Sequence, residues 1–91
     1  MPLIARLYRV HGRVQGVGFR AFVERHASKI GLAGWVRNAD DGSVEVHAQG
    51  RTEQLNVLEG LLRTGPRWGE VRHVEVRESS PIAADGFTIE R

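Results

Sequence analysis

The 91-residue chain, 41% apolar and 26% charged, has the length of one domain (residues 1–91) and the composition of an ordinary globular protein. The absence of cysteine excludes a disulfide framework and any thiolate metal or redox centre, and suits a reducing compartment. A net charge of only +2 says little by itself, and Met1-Pro2-Leu3-Ile4-Ala5-Arg6 has no apolar run long enough for a signal peptide or membrane span; a cytoplasmic monomer with no membrane partner is expected.

Residues 3–14 read as a strand, with Leu3, Ala5 and Leu7 on one face and Ile4, Tyr8 and Val10 mostly on the other. Gln15-Gly16-Val17-Gly18 is a glycine-rich turn. Beyond it Phe19, Val23, Ala27 and Ile30 recur at helical spacing, and Gly31 is a natural stop. Trp35 and Val36 begin a second strand, which reaches the turn signal Asp40-Asp41-Gly42. A third strand alternates, with Val44, Val46 and Ala48 facing one way and Glu45, His47 and Gln49 the other. Leu55, Leu58 and Leu62 stripe a second helix, which Gly65-Pro66 ends. Residues 71–78 read as a strand, and Phe87-Thr88-Ile89 as a short final one. This α+β order predicts a ferredoxin-like βαββαβ sandwich. Its antiparallel sheet would carry both helices on one face and leave the other partly open to water. Such a fold serves many functions and selects none.

Two places carry chemistry. Gly16 and Gly18 precede a helix N-terminus, where free N–H groups and the dipole favour an anion. Arg20 could add a bidentate grip on a phosphoryl group there. A plain tight turn with a solvated Arg20 fits the same residues. Nucleotide fingerprints do not, because G-x-x-x-x-G-K-[ST] is missing and Gly16-Val17-Gly18 has no third glycine. Asn38 lies just before the Asp40-Asp41-Gly42 turn. It reads either as a turn residue bonding its own backbone or as an amide orienting one water.

His11, His26, His47 and His73 lack metal-ligand spacing, so no metal or cofactor is expected. His26 is placed on the exposed side of the first helix, and His11 at the surface or an edge. Asp40 and Asp41 read as turn chemistry, and Trp35 and Phe19 as core anchors.

Val10-His11-Gly12-Arg13-Val14-Gln15-Gly16-Val17-Gly18-Phe19-Arg20 resembles the first signature of the acylphosphatase family. Gly34-Trp35-Val36-Arg37-Asn38, followed by Gly42, Val44 and Gly50, resembles its second. Gly65-Pro66 and the closing Phe87-Thr88-Ile89-Glu90-Arg91 extend the likeness over nearly the whole chain. The resemblance implies the ferredoxin-like fold and metal-independent hydrolysis of small-molecule acyl phosphates to a carboxylate and inorganic phosphate. It implies that Arg20 binds the phosphoryl group and that Asn38 positions the attacking water. The backbone of Gln15, Gly16, Val17, Gly18, Phe19 and Arg20 would form the phosphate cradle, with phosphate or other anions as ligand mimics.

Two rival readings belong to other classes. RNA-recognition domains share the element order but place aromatics on the third strand, where Val44-Glu45-Val46-His47-Ala48-Gln49 has none, so no nucleic acid partner is expected. A phosphate-binding module without turnover is the second, since acylphosphatase-like domains also open the larger carbamoyltransferases of hydrogenase maturation. The chain ending with the domain is read as favouring a free-standing enzyme.

Overall fold

The computed structural model describes residues 3–91, so Met1 and Pro2 of the opening segment lie outside the described residues. The elements run β1 (Ile4–Arg13), α1 (Phe19–Ile30), β2 (Ala33–Asn38), β3 (Val44–Gly50), α2 (Thr52–Thr64), β4 (Glu70–Ser79) and β5 (Phe87–Ile89). One sheet of order β4-β1-β3-β2-β5 carries α1 over β2 and β5 and α2 over β1 and β4. This is the expected ferredoxin-like βαββαβ arrangement.

Strands β1 to β4 pair antiparallel, as expected. The terminal strand differs, because β5 runs parallel to β2 and makes the sheet mixed. The reason is geometric. Ser79, at the end of β4, pairs with Ala5, and Ala33, at the start of β2, pairs with Gln49 opposite Ala5. The chain thus crosses the sheet at the end where β2 begins, and β5 must run the same way as β2.

The core follows the two periodicities. Tyr8 and Val10 of β1, Val36 of β2 and Val44, Val46 and Ala48 of β3 are buried under the helices. Phe19, Val23 and Ala27 of α1 and Leu55, Leu58 and Leu62 of α2 meet them at helical spacing. Gly31 ends α1 in the left-handed region (φ 96°), and its N–H donates to the carbonyls of Ala27 and Ser28.

The opposite face is less open than expected. Glu45, His47 and Gln49 are all buried, each against a different partner. Glu45 accepts from Arg9 and from Arg37, the latter at 2.9 Å. His47 stacks on Trp35, with ring centroids 6.0 Å apart. Gln49 pairs with the backbone of Ile82 in the β4–β5 crossover. Its Nε2 donates to Ile82 O at 2.7 Å, and its Oε1 accepts from Ile82 N at 2.8 Å. Phe19 is the core anchor expected, but Trp35 is half-buried on this far face. Strand register decides that, because Trp35 lies directly opposite the outward-facing His47.

Candidate active site

The turn between β1 and α1 begins with a change of partner. The pairing of β1 with β3 stops at Val10 and Val44, whereas β1 follows β4 past an irregularity at His11/Gly12 as far as Arg13 and Glu70. Val14 then returns to the core, and residues 15–18 cross to α1. Gly16 (φ 75°) and Gly18 (φ 80°) both take the left-handed backbone. A Cβ at either would meet no atom within 4 Å, so conformation and not crowding demands glycine.

Open donors result. Among the described residues the amides of Gly16, Val17 and Gly18 have no backbone partner. Helix α1 starts with no side-chain cap and no acidic residue in its first turn. Its first backbone bond runs from Phe22 N to Gly18 O at 3.0 Å, leaving the N–H groups of residues 19–21 facing outward. Arg20 makes no ion pair among the described residues, whereas Arg6, Arg9, Arg37, Arg63 and Arg72 each meet a carboxylate.

Gly16, Gly18, Phe19, Arg20 and Ala21 line one cleft of about 620 Å³, and Asn38 lines it from the end of β2. Asn38 makes no turn bond. Its Oδ1 is buried with no hydrogen-bond partner among the described residues, an arrangement that is costly unless a ligand or water supplies one. The structure therefore brings together four of the six loop residues and Asn38. Val17 instead packs toward the core, and the Gln15 side chain turns away from the cleft. Ile89 and Arg91 close the cleft from beyond α1, which nothing local in the sequence signals because it depends on β5 joining the β2 edge.

The hairpin behind Asn38 is tightly held. Asp41 accepts from the backbone N–H of Ser43 at 2.9 Å and from its hydroxyl. Those two bonds hold the Asp41 carboxyl below its ordinary range, with Arg9 a lesser contributor. Arg9 does the same for Glu45 by hydrogen bonding, against a desolvation penalty, and Arg37 adds to it. Asp41 thus does turn chemistry, as expected.

The histidines stand apart from the cleft. His11 is half-buried on the far face, with Nε2 2.6 Å from Glu75 Oε1 and its ring stacked on His73. His26 is half-buried against Phe22 (4.5 Å between centroids) and not on the exposed side expected. Among the described residues no three His, Asp or Glu side chains gather as a metal-ligating group. The cleft's lining side chains offer two guanidinium groups, of Arg20 and Arg91, and one amide but no carboxylate or imidazole, a donor set suited to an anion. No helix among the described residues is long and apolar enough to cross a membrane.

Comparison with known proteins gives a consistent picture. A family model described as acylphosphatase matches residues 6–89. An acylphosphatase of Solibacter usitatus is 49% identical over 88 residues, which cover 97% of this chain and 92% of that protein. One from Thermococcus kodakarensis is 44% identical over 81 residues, 89% of each. The crystal structure of an acylphosphatase from Bacillus subtilis matches with a TM-score of 0.91 and 42% identity, over 99% of this chain and 100% of that one. Full-length HypF in a phosphate- and nucleotide-bound form matches with a TM-score of 0.92 and 27% identity, over 99% of this chain but 12% of that one.

Proposed function

The chain belongs to the acylphosphatase family, hydrolases acting on an acid anhydride, and we propose that it cleaves small acyl phosphates by direct, metal-independent attack of one water. Arg20 and the backbone amides of residues 15–20 hold the phosphoryl group in this reading, and Asn38 positions the water. The observation that carries it is the buried, unpaired Oδ1 of Asn38 in the same cleft as the open amides and the unpaired Arg20.

Asn38 Oδ1 accepts a hydrogen bond from one O–H of the water, whose proton stays on the water oxygen, and thereby directs a water lone pair at phosphorus. As that O–P bond forms, the bond from phosphorus to the acyl oxygen breaks, and the carboxylate leaves with the electron pair. The water's second proton goes to a phosphate oxygen or to solvent. A carboxylate with a conjugate-acid pKa of about 4 to 5 leaves without protonation, so no general acid is required. Positioning and neutralising charge on the equatorial oxygens are what remain for the protein, and Arg20 with the curled amides does both.

The likeness to HypF favours a second reading, a phosphate-binding module without turnover, since the matched portion is a small part of that chain. Benzoyl phosphate hydrolysis in EDTA separates the two. Turnover by the wild type that is lost in Arg20→Ala and Asn38→Ala is the expected result. Tight phosphate binding without turnover would assign the module.

A further inference from the structure

We propose that Gln15 is a positioning residue whose side-chain amide sets the distance between the phosphate cradle and Asn38, an inference that rests on the water-positioning reading of Asn38. Gln15 opens the cradle, and its Nε2 donates to Ala39 O at 2.9 Å and Ser43 O at 3.0 Å. Both carbonyls belong to the β2–β3 hairpin immediately after Asn38. The hairpin is rigid at that point. Ala39 N donates to Ser43 O at 2.8 Å, and Asp41 holds the Ser43 amide.

Core packing of Val14 and Phe19 with Val36 and Val44 holds the two regions together, but among the described residues no other hydrogen bond ties the cradle to the hairpin. The β1–β3 ladder stops at Val10 and Val44, and β1 finishes its course on β4. No backbone hydrogen bond joins residues 15–18 to the hairpin. The other cradle side chains make no hydrogen bond to it, and Asn38 Oδ1 has no protein partner that would fix its own place. The gap between phosphate holder and water holder is spanned by one carboxamide. Its two N–H bonds need both a donor pair and the full glutamine reach. Glutamate has no donor, and asparagine is one methylene short.

The test measures benzoyl phosphate hydrolysis and inhibition by inorganic phosphate for Gln15→Met and Gln15→Asn, each alone and combined with Asn38→Ala. Assays run well below each variant's melting temperature, so that instability is read separately. Gln15→Met keeps the length and removes both donors, and Gln15→Asn keeps the amide and loses the reach. Each is expected to lower kcat roughly 10- to 100-fold, as ångström-scale misplacement does, with the phosphate inhibition constant moving less than about threefold. In the Asn38→Ala background each should cost less than about threefold more, because the residue acts through Asn38. Losses that multiply in the double variants overturn the inference alone, as does an unchanged kcat or a loss confined to phosphate affinity. An Asn38→Ala variant with undiminished kcat overturns the water reading and this inference with it.

Discussion

Helix α2 begins with its own side chains meeting its own backbone, whereas α1 begins with donors turned outward. At α2 the Gln54 side chain accepts from Arg51 N–H at 2.8 Å, and Glu53 sits in the first turn against the positive dipole end. Arginine has no acceptor to return the bond, so this is half of a capping box. At α1 the cap is Gly18, the third residue is Ala21, and the first turn holds Arg20 in place of an acid. A helix start left without acceptor or negative charge is less stable by itself. Placed beside an unpaired arginine and an unpaired buried amide oxygen, it is ready for a ligand that brings the missing charge.

The sharpest way to break this contrast is to take the positive charge from the open end. Arg20→Ala removes two donors and a cation, so kcat/KM for benzoyl phosphate should fall by roughly 10³ or more, with phosphate affinity falling as well. Asn38→Ala should cost roughly 10² to 10³, almost all of it in kcat, because the amide meets the water and not the phosphoryl group. A rise in KM with kcat unchanged would move Asn38 from the water to substrate binding.

The parts of this contrast that follow from local pattern were legible in the sequence. Alternation at Val44, Val46 and Ala48 and the fourfold spacing of Phe19, Val23 and Ala27 fix which faces are buried. Gly16 and Gly18 mark the left-handed loop. Long-range pairing was not legible. Glu45, His47 and Gln49 alternate like solvent-facing residues, yet their burial depends on Arg9, Trp35 and the backbone of Ile82, 33 residues beyond Gln49. Trp35 reads as core until the register sets it opposite His47. Asn38 reads as a turn residue until strand order brings the end of β2 beside the cradle. The acceptors of the Gln15 side chain lie 24 and 28 residues away, beyond the reach of any local motif.

Making α1 begin as α2 does is the next, smaller perturbation. Ala21 is the third residue of α1, where α2 has Gln54, and it lines the cleft. Ala21→Glu puts a carboxylate where it can accept from the open amides, which should stabilise the ligand-free protein by about 0.3–1 kcal/mol. The same carboxylate repels a phosphoryl dianion at close range, so KM and the phosphate inhibition constant should each rise roughly tenfold. Opposite signs for stability and affinity in one variant would show that the open helix start serves the ligand. A rise in melting temperature with unchanged KM would mean that the anion does not sit there.

The smallest effect comes from uncapping α2. Gln54→Ala frees the Arg51 amide and also removes the bond from Gln54 Nε2 to Ile30 O at 3.0 Å, which ties α2 to the end of α1. One lost cap and one partly exposed hydrogen bond should cost about 1–2 kcal/mol together. In a domain of this size each kcal/mol lowers the melting temperature by roughly 4–8 °C. Activity below the transition should stay at the wild-type level, because Gln54 faces Ile30 and Arg51 and has no part in the cleft. Thermal melts and benzoyl phosphate assays on the same preparation test the division directly. If kcat falls with stability, α2 and the cleft are mechanically coupled, and capping at one helix start affects catalysis at the other.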